Sequence, residues 1–349
     1  MATRATATLL CPSDETRRVL RLNIHGVEVA ITANWPRLNE LVRLNYWPFE
    51  PPGPSMTSLD VFVNLWKRSW SQGPRLPGRE PTGAEERWGA ELYGDGQRTV
   101  AFETERATVR FTMDPKPTVR ASFEIDRRSR IASLYREVPS WEETQRMMRL
   151  AINQPVFHIL ARSGLTLLHA SAAALDDHAL VITGLNGSGK SSLCFSLLDR
   201  FQYMADNYVL WDGRDILGVP TALRLPRARA HARFVQGPVI FGKHLMVPKP
   251  GTTRLRARPR ALIIVTRGST SSLQRLSAEE GVRQVRAIHD LTPEFPRSQF
   301  PRLLAMDFDY PEAGEIARTV PTFHLTMDRV EDARDLLYGV MEAELGDAR

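Results

Sequence analysis

A strand, a glycine-rich turn and a helix follow one another without interruption in the middle of this chain, and that succession constrains its fold more than any other feature. His178-Ala-Leu-Val-Ile-Thr183 is a short apolar run of strand character, and Ser192-Leu-Cys-Phe-Ser-Leu-Leu198 has the apolar spacing of a helix. Between them, Gly184-Leu185-Asn186-Gly187-Ser188-Gly189-Lys190-Ser191 satisfies the pattern G-x-x-x-x-G-K-[ST] at every fixed position. Glycines at these places let successive backbone N–H groups turn toward one anion, and the helix that follows adds the positive end of its dipole. In such a loop the lysine, here Lys190, serves the β and γ phosphates, and the hydroxyl of Ser191 is a Mg²⁺ ligand. The loop from Gly184 to Ser191, with Ser192 behind it, is therefore expected to bind a nucleoside triphosphate, ATP with Mg²⁺, or a molecule of that shape.

The rest of the chain sets the frame for that loop. At 349 residues it has room for two domains. The composition, 42% hydrophobic and 25% charged, is that of an ordinary water-soluble protein. No apolar run approaches the ~20 residues of a membrane helix, and the first ten residues are too weakly apolar for a signal peptide. Cys11 and Cys194 are the only cysteines, which argues against a disulfide framework and for a reducing, cytoplasmic setting.

The net charge of +6 is unevenly distributed. From Ile216 to Ala278 there is no Asp or Glu but there are twelve Lys or Arg; 46 less 12 leaves 34 basic residues against 40 acidic elsewhere. The basic stretch is either a solvated face or a surface that meets phosphates or an acidic partner. Nucleic acid is disfavoured, since no aromatic-and-basic recognition motif accompanies the charge.

Taken in order, residues 1–135 read as an α+β domain, a candidate for substrate or partner binding. Val19–Ile24 and Val27–Ile31 alternate apolar and polar across His25-Gly26, the pattern of a hairpin. A helix is expected over Pro36–Asn45 and a strand over Leu59–Trp66. Ser71–Glu86, rich in Pro, Gly and charge, reads as a loop. Further strands are expected at Trp88–Tyr93, Arg98–Glu103, Ala107–Met113 and Val119–Ile125. Five of the seven tryptophans lie here, as packing residues.

Residues 136–349 read as the nucleotide-binding domain. Ser140-Trp-Glu-Glu143 is a capping box that opens a helix, which Pro155 should kink or divide. Strand-like runs follow at Leu165–Ala170 and Ala172–Leu175, with Asp176-Asp177 as the turn into the loop's own strand. Phe201–Trp211 reads as a strand that carries Asp206, sixteen positions beyond Lys190. Ile216–Leu225 and Arg260–Val265 supply more strands. A helix capped by Ser277 comes next, then a late strand at Val320–Thr326 and a final helix over Asp328–Leu345.

A glycine loop alone leaves the class of nucleotide protein open. The chain lacks the N-K-x-D guanine-reading sequence and the L-S-G-G-Q transporter signature. It does carry Leu168-His169-Ala170-Ser171 before the loop and Met204-Ala205-Asp206-Asn207 after its helix. This order resembles the HPr kinase/phosphorylase family, whose kinase domain has a histidine-bearing strand, a G-x-S-G-x-G-K-S loop and a strand with Ala-Asp-Asp. The resemblance covers about Gly164 to Val340 and is specific between His169 and Asn207. It implies an α/β P-loop kinase core of the HPr kinase C-terminal type behind the N-terminal α+β domain.

Carried over residue by residue, the resemblance implies that Lys190 and Ser191 hold phosphate and metal. Asp206 is then the catalytic aspartate that takes a proton from an acceptor serine, and His169 supports it. Metal ligands are expected at Ser191, Asp206 and Asn207. Independently, phosphoryl transfer needs a carboxylate near the acceptor oxygen, and Asp206 at the end of a core strand is suitably placed. The chain departs from the family at Asn207, where a second Asp is usual, and in the acid-free span 218–230, where a further acidic ligand is usual. These departures count against phosphorolysis and against HPr as substrate. Arg224, Arg227 and Arg229 fall in that span and are candidate contacts to phosphate or substrate.

Three readings follow: an ATP-dependent kinase acting on a Ser or Thr hydroxyl of a peptide or protein, an acidic one if the basic stretch meets it; a nucleotide-binding regulator without phosphotransfer; and a kinase acting on a small hydroxylated metabolite. Homo-oligomer formation is left open.

Overall fold

Alternating or continuous short runs of apolar residues make strands, and among its described residues the computed structural model of the chain contains two sheets and a small third one. The structure describes residues 163–291 and 312–346, apart from 228, 229, 241 and 250. It also describes strand segments between 18 and 126 and the single positions 46, 49, 153, 156, 157, 160 and 161. The expected helix over 36–45, the loop over 71–86 and the capped helix from Ser140 lie outside the described residues.

The N-terminal part forms a seven-stranded sheet. Its strands are β1 (Arg18–Ile24), β2 (Val27–Ala33), β3 (Leu59–Leu65), β4 (Arg87–Leu92), β5 (Arg98–Glu103), β6 (Thr108–Met113) and β7 (Ala121–Asp126), in the order β1-β2-β3-β7-β6-β5-β4. The hairpin expected across His25-Gly26 is present, with Ile24 opposite Val27 and both turn residues at positive φ. β3 is parallel to both of its neighbours, and the other pairs are antiparallel. The hairpin tip meets the second sheet: His25 Nε2 lies 2.9 Å from the Gly218 carbonyl oxygen.

The second sheet is mixed and holds nine strands among the described residues. They are β8 (Thr166–Leu168), β9 (Ala170–Leu175), β10 (His178–Thr183), β11 (Gln202–Ala205), β12 (Val209–Trp211), β13 (Ile216–Gly218), β17 (Arg256–Arg267), β18 (Ser272–Arg275) and β19 (Thr322–Met327). β10 and β19 both run parallel to the long strand β17, while β9 is antiparallel to β10. The α-helices with described bounds are α1 (Lys190–Leu197), α2 (Ala278–Asp290), α3 (Ile316–Thr319) and α4 (Val330–Gly346).

The pleat distributes the core to both faces. Ala261, Ile263 and Val265 of β17 join a cluster with α1 and α4, whereas Leu262 and Ile264 join one with α2 and α3. Strands buried on both faces read as unbroken apolar runs, as β10 does. Helix α2 starts where Ser277 was expected to cap it: the Ser277 hydroxyl accepts from the Glu280 N–H at 3.2 Å. None of the described helices is long and apolar enough to cross a membrane.

Four strand expectations are corrected. Phe201–Trp211 is not one strand but two, β11 and β12, because the chain bends at Asp206-Asn207 and Asn207 adopts φ 68°. β11 pairs with β9 and β12 with β8, so the bend sends the chain from one arm of the sheet to the other. Leu165–Ala170 likewise breaks at His169. Ile216–Leu225 also divides: β13 stays in the main sheet, while β14 (Leu223–Leu225) enters a three-stranded sheet with β15 (Phe234–Ile240) and β16 (Lys243–Pro248). Finally, β17 extends well beyond the expected Arg260–Val265 at both ends. The small sheet packs Leu223, Leu225, Phe234 and Met246 against the same cluster as α1, which ties the basic stretch to the helix behind the glycine loop.

Candidate functional site

The glycine loop runs from the end of β10 into α1, as its sequence requires. Gly184 has φ 153°, and a Cβ there would lie 2.5 Å from the Val265 carbonyl oxygen, so no other residue fits between β10 and β17. The loop closes on itself through Ser188 N–H to Leu185 O at 3.1 Å. Leu185, Asn186 and Gly187 are exposed, whereas Ser188 is buried. Gly189 is the residue before the first turn of α1. That turn has no side-chain cap and no acidic residue, so its N–H groups remain open to an anion.

Lys190 is 5% exposed and turns back on the loop, donating from Nζ to the carbonyls of Gly184 (2.8 Å) and Leu185 (3.0 Å). Burial lowers its ammonium pKa to about 8; Lys243 pushes in the same direction, and Asp206 opposes it. The fold thus holds a partly desolvated cation beside an uncapped helix terminus, and both favour an anion.

Ser191 follows Lys190 and points at Asp206. Its hydroxyl donates to both carboxylate oxygens, at 2.8 Å to Oδ1 and 2.9 Å to Oδ2. Asp206 is fully buried at the bend between β11 and β12. It also accepts from the Ser171 hydroxyl at 2.5 Å and from Asn207 Nδ2 at 3.3 Å. The Asp206 carbonyl accepts from the Thr221 hydroxyl at 2.9 Å. Three donor groups therefore make four contacts to a carboxylate with about four lone-pair positions.

His169 occupies the kink between β8 and β9. Its N–H donates to His289 Nε2 at 3.1 Å, and its carbonyl accepts from the Thr183 hydroxyl at 2.8 Å. Burial drives its imidazole pKa to about 3, helped by the charge of Lys190 and by His289. Hydrogen bonding to the Asn207 backbone and the Asn186 side chain opposes this. His169 is thus a neutral imidazole at physiological pH.

The residues expected from sequence are brought together around α1: Lys190, Ser191, Asp206, Asn207, His169 and the loop itself. Arg224 lies on β14 and Arg227 just after it, while Arg229 is outside the described residues. Sequence reasoning missed Ser171 and Thr221. Ser171 lies on β9, beyond the break at His169, and Thr221 lies past β13; each reaches Asp206 through a contact that no local pattern signals.

A hydroxyl and a carboxylate form a hard oxygen donor set. Mg²⁺ is usually held by one or two carboxylates together with water and substrate phosphates, so Ser191 and Asp206 fit it. Among the described residues, no group of three or more His, Cys, Asp or Glu is placed to hold a metal by itself. Cys194 is buried and unpaired with another cysteine, and burial raises its thiol pKa.

No protein-family model and no curated protein matches the chain. Among solved structures it is similar to that of the Hpr(Ser) kinase/phosphatase from Coxiella burnetii, with 13% sequence identity and a TM-score of 0.28 over 52% of this chain and 92% of that one. At that level no residue role is transferred from it.

Proposed function

We propose that this chain is an ATP-dependent kinase that transfers a phosphoryl group to a hydroxyl, a Ser or Thr side chain of a peptide or protein. The observation that carries the reading is the buried Asp206 carboxylate receiving the hydroxyl of Ser191, one residue after a lysine folded into a glycine loop. By donating its hydrogen bond to Asp206, Ser191 keeps its oxygen lone pairs free for a cation. Mg²⁺ bound there would offset the charge that develops on the transferred group.

Lys190 and the N–H groups of the loop hold the phosphates. In place of one of the hydrogen bonds it now receives, the Asp206 carboxylate can accept the acceptor's hydroxyl proton as the new O–P bond forms and the bond to the leaving nucleoside diphosphate breaks. His169, being neutral, supports the Asp206 bend without adding charge. Asn207 would offer the cation a neutral amide oxygen.

A second reading, a nucleotide-binding regulator without transfer, draws on the same carboxylate: Asp206 is fully buried and already engaged by three donors. Calorimetry with ATP and Mg²⁺ tests the part common to both. Lys190→Ala should weaken binding by at least tenfold, since a charge-assisted contact is worth roughly 1.5–3 kcal/mol. Equal affinity in the two proteins would remove the nucleotide assignment.

A further inference from the structure

The end of β17 carries a side chain that neither the motif nor the proposed chemistry uses. β17 runs parallel to β10 with Ile264 opposite Thr183, so Arg267 lies three residues beyond the point where β10 gives way to the glycine loop. Its side chain turns onto Gly189. A Cβ built on Gly189 would lie 2.8 Å from Arg267 Nη2, 3.2 Å from its Cζ and 2.5 Å from Cε of Met327, Arg267's neighbour on β19. Only glycine allows the guanidinium this close to the residue that precedes α1. Gly189 also has φ 100°, a conformation that side chains disfavour.

The placement is electrostatically costly unless something completes it. A guanidinium sits against Gly189 at the positive end of α1, and like charge at a helix N-terminus is unfavourable. Among the described residues Arg267 makes one hydrogen bond, a long one of 3.3 Å from Nη1 to the Asp328 carbonyl, and no ion pair. The whole stretch from Ile216 to Ala278 contains no acidic residue. Arg267 is also exposed, so its remaining donors face solvent beside the loop. A guanidinium and a helix terminus meet where, among the described residues, no carboxylate pairs with Arg267. A guanidinium's planar set of donors suits the paired oxygens of a phosphate chain.

We infer that Arg267 is a polyphosphate-binding residue, gripping the phosphate chain of the nucleotide from the Gly189 side while Lys190 holds it from within the loop. This deepens the proposed function and rests on it. It assigns Arg267 to ground-state binding of any nucleotide that carries two or more phosphates.

The test compares wild type, Arg267→Gln, Arg267→Lys and Lys190→Ala in the full chain. Affinities for ATP, ADP and adenosine are measured by calorimetry, and thermal melting checks the fold. Arg267→Gln should bind both ATP and ADP roughly ten- to hundred-fold more weakly, the usual yield of a lost charge-assisted contact. Arg267→Lys should recover part of that loss, and adenosine affinity should not change. Arg267→Gln binding ATP and ADP like wild type, while Lys190→Ala loses them, would overturn the inference and leave the nucleotide site standing. An equal loss for adenosine would overturn it too, since the contact would then be to the nucleoside. Were Lys190→Ala to bind ATP normally as well, the nucleotide reading itself would fail and this inference with it.

Discussion

Nucleotide binding should draw protons from solution at mildly alkaline pH, and Lys190 is the reason. Its ammonium pKa is lowered from 10.5 to about 8, chiefly by desolvation, with Lys243 adding to the shift and Asp206 opposing it. Near pH 8 roughly half the molecules therefore hold a neutral amine at this position. A polyphosphate beside Nζ favours the charged form and moves the pKa back toward 10.5. Binding at that pH should take up about half a proton, and at about two units lower almost none.

The same shift sets the pH dependence of affinity. Below pH ~8 the dissociation constant should be flat with respect to this group, and above it should rise by up to about tenfold per pH unit. Full restoration of the ordinary pKa would make the total about 300-fold, or roughly 3 kcal/mol. The sign for stability is the opposite of that for a paired lysine. A depressed lysine pKa penalises the folded protein fully below about 8, and the penalty fades as pH rises toward 10.5. Calorimetry in buffers of differing ionisation enthalpy reads the proton count directly. His169, with its pKa near 3, and the raised Cys194 thiol leave that window clear. Zero uptake at pH ~8, or the same uptake in Lys190→Gln, would refute the reasoning.

Two other perturbations probe the surroundings of the loop. Ser171→Ala removes the 2.5 Å hydroxyl donor from a fully buried carboxylate, so denaturant unfolding should show a loss of roughly 1–3 kcal/mol; an unchanged midpoint would mean that Asp206 does not depend on it. If the basic stretch from Ile216 to Ala278 meets an acidic peptide, its association should weaken with salt as the Debye length falls below ~10 Å, and affinity independent of salt would mark that stretch as a solvated face.

Much of the site could be read directly from the chain because its determinants are local. A strand, three glycines, a lysine and a helix need no distant partner to be recognised, and neither does the Ser277 cap. The hairpin at His25-Gly26 was legible for the same reason. What stayed hidden depends on long-range choices. Phe201–Trp211 is apolar enough to be one strand, and only the left-handed turn at Asn207 divides it between two arms of a sheet. Asn tolerates that conformation, but nothing local demands it. The small sheet was hidden because Gly237-Pro238 interrupts β15 and its register on β16 shifts there, which erases the period-2 signal. The alternating Arg256-Ala-Arg-Pro-Arg260 reads as polar chain although it begins the longest strand. Ser171 and Thr221 reach Asp206 from 35 and 15 residues away in opposite directions, and no periodicity announces such a meeting.

The central claim is phosphoryl transfer assisted by Asp206, and single-turnover transfer of labelled phosphate from ATP tests it most directly. Asp206→Asn preserves shape and removes the charge. Run beside wild type at saturating Mg²⁺, with Ser- and Thr-containing acceptors, it should bind ATP nearly normally yet transfer ~10²–10⁴-fold more slowly, the range for loss of a general base. Equal rates in the two proteins would contradict the mechanism. A wild-type protein that binds ATP but transfers phosphate to no acceptor would contradict the kinase assignment and leave the regulator in its place.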